Sequence, residues 1–392
     1  MRVLVWEYAS GGGLWGQRVD ASLLVEGYAM LYSMAGCLRA AGHEVVTLLD
    51  ARMSGSMMVP PGCHGRPVSS PMGPDELGKV MAREDPDTAL IIAPETGMLL
   101  SRIVREVQAS GIPVLNCSPE AIADCTDKLR TIKLLGEQGL RVPRTELVDV
   151  SVGDNVPEMA PPFVVKPRDG VACEGISLVR SMDAFPAALE QATAASGDGT
   201  ALVQEYVKGA DLSLSLLANG RGAEVVSVNR QVLEAPLAYV GATVPYGPFP
   251  DVVRERLMAT GLACAEAVPG LFGPIGVDLV LADGVPYVVE VNPRLTTSFV
   301  AMARIPGYGV SQARALVGHL DDEHVPIPPP DRHCCVLKVA LEQDTSIPRD
   351  ILCTPPVSID GTTGGMVFDL GRTPAHAEQG ALRHKRTVEG GV

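Results

Sequence analysis

Apolar positions in this chain follow two rhythms: short unbroken runs that read as buried strands, and longer runs with helical spacing. The first run, Arg2 to Tyr8, predicts a strand. A glycine-rich turn follows, Ser10-Gly11-Gly12-Gly13-Leu14-Trp15-Gly16. A helix is expected from Asp20, as N-cap, to Ala41, with Gly42 as its stop. Further strands are expected at Glu44 to Leu49, ending at Asp50, at Ala89 to Ala93 and at Pro113 to Leu115, with a helix from Leu99 to Ala109. Residues 53–75 are rich in Met, Pro, Gly and Ser and read as a loop. Strands alternating with helices imply a parallel sheet.

Beyond residue 116 the pattern changes. Asn116 to Lys128 predicts one helix start and then a second helix carrying Lys128 and Lys133. Phe163 to Arg168 is a buried-type strand, and the small residues 169–177 form a loop returning to another. A helix is expected within 182–200, then a strand-to-linker segment at Leu202 to Gly209. Asp211 to Leu216 alternates cleanly and predicts a strand, as does Val225 to Val228. An amphipathic helix spans 251–268. After Arg294 the chain turns helical to Leu316, Pro326 to Pro330 is a linker, and His333 to Leu341 is a last strand. From Thr373 the polar, basic end reads as frayed.

The stretch from Ile275 to Arg294 concentrates the chemistry. Two apolar runs flank Asp283-Gly284, which predicts a β-hairpin. Glu290 and Asn292 are two apart and share a strand face. A two-residue turn would set Asp278 opposite Val289. A three-residue loop, Asp283 to Val285, would set it opposite Glu290 and bring three oxygen-bearing groups onto one face. The three-residue loop is the reading adopted; a plain hairpin with its acid in water is the alternative. A buried carboxylate is costly unless paired or metal-bound. Oxygen ligands of this kind suit Mg²⁺, with Mn²⁺ as a substitute.

Composition narrows the class. The 392 residues suffice for two or three domains, with 46% hydrophobic and 20% charged residues. The net charge of −14 argues against nucleic acid or an anionic membrane as partner. Nine scattered cysteines, with no Cys-x-x-Cys, read as reduced thiols in a cytoplasm. No signal-like N-terminus and no run of about 18 apolar residues is expected.

The hairpin resembles the metal-binding core of the ATP-grasp ligases, through Asp278, Glu290, Asn292 and Arg294. The resemblance implies an α/β protein in which two α+β subdomains clamp ATP behind a Rossmann-like parallel-sheet domain. Its implied divisions are 1–115 for the substrate domain, 116–200 and 201–325 for the two subdomains, the second holding metal, and 326–392 for a C-terminal segment with a disordered tail. It further implies ATP contacts at Lys128, Lys166, Gly170, Gly175, Glu205, Val207 and Asp211. Metal would go to Asp278, Glu290 and Asn292, with Arg294 and Arg230 beside the reacting phosphate. Glu7-Tyr8-Ala9-Ser10-Gly11-Gly12-Gly13 and Ser227-Val228-Asn229-Arg230-Gln231 are similar to segments of the tyramine–glutamate ligases of methanofuran biosynthesis. That similarity implies substrate contacts at Glu7, Ser10, Gly11 and Gly12, and glutamate plus an aromatic amine or amino acid as substrates. In this reading the backbone N–H groups of Gly11 to Gly13 bind a carboxylate, beside the Trp15 ring. Arg230 or Arg304 would serve a second carboxylate. A homodimer is allowed, not required.

A rival reading stands beside this one. Gly11, Gly13 and Gly16 satisfy G-x-G-x-x-G after a strand, and Asp50 closes the next strand, as in dinucleotide-dependent oxidoreductases. Against it, Trp15 is bulky for a pyrophosphate turn and the helix cap at Asp20 comes late. Another ATP-grasp amino-acid ligase, or a fold that only binds, are the remaining alternatives.

Overall fold

The computed structural model describes residues 1–53, 59–149, 157–170, 174–234, 237–341 and 347–390. The N-terminal region comprises β1 (Arg2–Glu7), α1 (Ala21–Ala40), β2 (Glu44–Asp50), β3 (His64–Val68), α2 (Pro74–Arg83), β4 (Thr88–Ile92) and α3 (Leu99–Ala109). Its four strands are parallel, in the order β3-β2-β1-β4. Val3, Leu4, Val5 and Trp6 are all buried, because a central parallel strand is covered on both faces. The loop expected over 53–75 instead contains β3, a polar edge strand whose Pro67 an edge tolerates. Its lack of an apolar run hid it; residues 54–58 lie outside the described set. Pro113 to Leu115 adds only a bridge, Ala89 to Val114.

Asp20 caps α1 as expected, accepting from the Leu23 N–H at 3.0 Å. By length and composition α1 could cross a membrane, which corrects the expectation that no such run exists. Glu26 interrupts the run in sequence, yet the helix remains apolar on average. Most of it is buried here, packed on β1, on two later helices and on the last strands of the chain.

The next unit holds α4 (Pro119–Thr126), α5 (Lys128–Glu137), β5 (Thr145–Asp149), β6 (Phe163–Pro167), β7 (Ser177–Val179), α6 (Phe185–Ala195) and β8 (Thr200–Glu205). Its antiparallel sheet runs β5-β8-β6-β7, with α6 over Phe163, Val165 and Val203. The rest is β9 (Ala210–Asn219), β10 (Ala223–Glu234), β11 (Ala238–Val244), α7 (Asp251–Ala267), β12 (Phe272–Ala282), β13 (Val285–Asn292), α8 (Ser298–Met302), α9 (Tyr308–Gly318), β14 (His333–Ala340), β15 (Val357–Ile359), β16 (Thr362–Gly371) and α10 (Pro374–Val388). One eight-stranded antiparallel sheet spans it, β13-β12-β9-β10-β11-β14-β16-β15, and so runs across residue 325.

The frayed end expected from Thr373 is instead helix α10. Thr373 caps it, and Ala377, Gly380 and Ala381 are buried against β14 and β16. Small residues at helical spacing let the helix lie close to the sheet, a signal that the polar composition masked.

The central hairpin reaches the expected pairing by a different route. Its turn has two residues, Asp283 and Gly284, both with positive φ, as the tight hairpin turn requires. A bulge then shifts the register between Asp278 and Leu279: Leu279 pairs with Val288, whereas Asp278 pairs with Glu290. The extra residue in β13, not a longer loop, brings the two acids together.

Deleting residues 373–392 should lower the thermal midpoint by more than about 5 °C, because it bares the apolar face of β14 and β16. Calorimetry on the full and shortened chains tests this.

Candidate active site

A cleft of 190 Å³ opens between the N-terminal sheet and the hairpin. Glu7, one face of α1, and Ile92 to Pro94 form one wall. Ser213, Gln231, Asp278, Glu290 and Asn292, from four neighbouring strands, form the other. Lys128 and the segment Pro167, Gly170, Glu174, Ile176 close a third side, and Arg294 to Ser298 the end. Residues 171–173 of the expected phosphate loop lie outside the described residues.

Lys128 stands at the start of α5, whose cap is Asp127. The side chain is only 5% exposed. Its Nζ donates to Glu290 Oε1 at 2.7 Å and to the Gly170 carbonyl at 2.6 Å. Burial works against ionisation of Glu290, but Lys128, Lys166 and Arg294 outweigh it and hold its pKa below the usual value. Asp278 differs. Burial and the Glu290 charge push its carboxyl up to about 7, with Asn292, Arg294 and Lys128 opposing. Asp278 accepts from Gln231 Nε2 at 2.9 Å and from Asn292 Nδ2 at 3.2 Å. Among the described residues no three His, Cys, Asp or Glu side chains gather, so a metal here would meet two carboxylates and an amide. That donor set fits Mg²⁺, which takes few protein oxygens and completes its shell with phosphate and water. Two neighbouring carboxylates, one of them pushed up by burial and by the other's charge, are the electrostatic counterpart of that fit.

Arg294 is 2.9 Å from Glu95 Oε1 through its Nε; Glu95 is buried and the Arg294 side chain is 17% exposed. Glu95, which follows β4, was not expected from the sequence; its acid gave no pattern to pair it with an arginine so far along the chain. Arg230 is a second departure. Strand alternation turns Gln231 toward Asp278 and Arg230 to the opposite face. There Arg230 pairs with Glu378 of α10 at 3.2 Å and lies over Tyr246. The cleft residue of β10 is therefore Gln231, one place later.

Lys166 is buried at the end of β6 and donates to Gln204 Oε1 at 2.9 Å; Gln204 in turn donates to Thr145. Gly175 has positive φ and fits against α6 where a side chain would collide. Glu205, Val207 and Asp211 lie outside the cleft lining. Glu205 is exposed and accepts from the Arg144 N–H, and Asp211 shares the cleft-facing side of β9 two residues from Ser213. Burial raises the Asp211 carboxyl, with Arg230 opposing. Lys133 is exposed.

Of the expected substrate contacts only Glu7 lines the cleft. Its carboxylate accepts from the Ala9 N–H, the Ser10 N–H and the Ser10 hydroxyl at 2.6–2.9 Å. Burial pushes it up to about 7 against those donors. The glycine turn is folded on itself: Gly13 N–H donates to Tyr8 O, Gly11 O accepts from the Trp6 ring, and Gly12 packs on Val68. Trp15 lies under Arg52, which is held by Asp50. Arg304 donates to Ser33 and lies over Phe368, also outside the cleft lining. The dinucleotide reading loses its geometry here, since α1 starts at Ala21, well after Gly16, and Asp50 is engaged by Arg52.

A parallel-sheet domain, a small antiparallel sheet and a strand hairpin bearing acids, with a cleft among them, make up an ATP-grasp fold. The chain carries an ATP-grasp domain, matched over residues 125–298, and a pre ATP-grasp 3 domain, matched over residues 43–122. Among its relatives, the carbamoyl phosphate synthase large chain of Kocuria rhizophila is 28% identical over 223 residues, 55% of this chain and 20% of that protein. The tyramine–L-glutamate ligase of Methanocaldococcus jannaschii is 25% identical over 253 residues, 64% of this chain and 68% of that one. This chain thus spans a fifth of the first relative. A crystal structure described as a putative ATP-grasp superfamily protein from Archaeoglobus fulgidus superposes with a TM-score of 0.66 at 27% identity, covering 94% of this chain and 98% of that one.

Glu95→Ala should strand the Arg294 charge and cost about 3–5 kcal/mol in urea unfolding. A loss below about 1 kcal/mol would mean the pair behaves like a surface contact.

Proposed function

We propose that the protein is an ATP-dependent carboxylate–amine ligase: ATP phosphorylates a carboxylate, an amine attacks the acyl phosphate, and ADP and phosphate leave. The observation that carries this reading is the convergence of Lys128, Asp278, Glu290, Asn292 and Arg294 on one cleft. Phosphoryl transfer asks for positioning and charge neutralisation more than for covalent chemistry. Arg294 and Lys128 provide fixed positive charge, each held by a glutamate so that neither must reorganise during the step. Lys166, beside them, contributes to the same field. Mg²⁺ held by Asp278, Glu290 and Asn292 would neutralise phosphate charge. Pro167, Gly170, Glu174 and Ile176 line the same cleft and would help keep water from the acyl phosphate.

The finer reading joins the γ-carboxylate of glutamate to tyramine or tyrosine, in the making of a methanofuran-type cofactor. Its support is the tyramine–L-glutamate ligase relative and the placing of Glu7 in the cleft. A ligase for a different amino-acid pair uses the same phosphate machinery and differs only at the substrate end.

ATP with Mg²⁺ should raise the thermal midpoint by mass action, whereas NAD should not. ADP should appear only when an acid and an amine are both present. Glu290→Gln should cut turnover about a hundredfold or more with the fold retained. A coupled ADP assay over pairs of amino acids and amines decides: ADP release that ignores every pair, or a midpoint moved by NAD alone, would falsify the ligase reading.

A further inference from the structure

The end of the cleft next to the N-terminal sheet carries the wrong charge for a carboxylate. Glu7 is 1% exposed, lines the cleft, and pairs with no lysine, arginine or histidine among the described residues. Its donors are one hydroxyl and two backbone N–H groups, which leave its negative charge uncompensated. Gly27 of α1 packs directly on its Oε1, where a side chain would collide. One residue earlier on the helix, Glu26 lines the same space. Glu26 is fixed from behind by Ser22, by Thr297 at 2.8 Å and by Lys338 of β14 at 2.7 Å. Apolar and aromatic groups surround these acids: Leu23, Met30, Ile92, Leu233 and Tyr239. The only cations lining the described cleft are Lys128 and Arg294, each already paired with a glutamate.

We infer that Glu7 and Glu26 form the subsite for the ammonium of the acceptor, and that the acceptor is a primary amine with an apolar or aromatic body and no carboxylate beside its nitrogen. This rests on the ligase reading and extends it by choosing a tyramine-like amine over a tyrosine-like amino acid. A carboxylate on the acceptor would face two glutamates with no free cation to meet it. An ammonium offsets the charge that burial of Glu7 leaves exposed. Glu7 also has a task in the step. The ammonium gives one proton to the Glu7 carboxylate and becomes a neutral amine. Its nitrogen attacks the acyl carbon, the C–N bond forms, and the C–O bond to phosphate breaks with the electron pair leaving on phosphate. The second proton passes from nitrogen to the departing phosphate. A carboxyl pushed up to about 7 suits a group that accepts a proton near neutrality.

Hydroxylamine separates this subsite from the rest of the reaction. It is small and largely unprotonated at neutral pH, so it traps an acyl phosphate without an ammonium pocket. Hydroxamate, amide and ADP are measured for the full chain, for Glu7→Gln and for Glu26→Gln, with glutamate or another amino-acid donor and with tyramine, tyrosine or hydroxylamine. Expected is retained hydroxamate formation in Glu7→Gln, with amide formation from tyramine down about a hundredfold. Glu26→Gln should raise the KM for the amine more than it lowers kcat, and the ATP-dependent thermal shift should match the parent in both. The inference is overturned if hydroxamate falls as far as amide in both variants, or if the parent uses tyrosine better than tyramine. A parent that forms neither hydroxamate nor ADP with any donor would overturn the ligase reading itself, a result distinct from a misassigned subsite.

Discussion

Lys128 meets an acceptor from each of two structural units: Glu290 from the hairpin and the Gly170 carbonyl from the loop after β6. Burying a charge is expensive, and burying an incomplete pair is worse. This ammonium therefore needs both partners, and both units must close on it. The arrangement of the cleft depends on that requirement. Lys128, Lys166 and Arg294 hold Glu290 ionised against its burial, burial and the Glu290 charge push Asp278 the other way, and Arg294 is fixed from the opposite wall by Glu95. The cleft is a set of charges each of which justifies the next.

How much of this was legible in the sequence follows from the distance over which each signal acts. Glu290, Asn292 and Arg294 sit on one strand and its exit, so their spacing alone places them together. Lys128 and Lys166 were recoverable because each opens or ends an element whose boundary the apolar pattern marks. The hairpin pairing was legible in outcome but not in cause: turn and bulge trade residues, and only coordinates reveal which element carries the extra one. Arg230 shows the limit of resemblance. A single step along a strand exchanges faces, and Gln231, an uncharged neighbour, holds the place that charge suggested for the arginine.

Contacts across the chain left no trace. Glu95 with Arg294, Glu26 with Lys338 and Arg230 with Glu378 each join distant segments, and no local periodicity carries such pairings. The glycine turn misled for a related reason. Three glycines read as free donors, but this turn is filled by Trp6, Tyr8 and Val68, and its use is to present Glu7. The C-terminal segment was opaque because polar composition reads as solvent exposure, whereas a few small residues at helical spacing are enough to seat α10.

Helix α1 also makes the order of synthesis matter. It leaves the ribosome well before β14 and β16, two of the strands that cover it, and by length and composition it is apolar enough to span a membrane. Until those strands follow, the nascent chain carries an incompletely covered apolar helix, a surface that chaperones bind and aggregates recruit. The stretch of chain between the helix and those strands is thus a window for misassembly, a consequence that no property of the finished cleft would disclose.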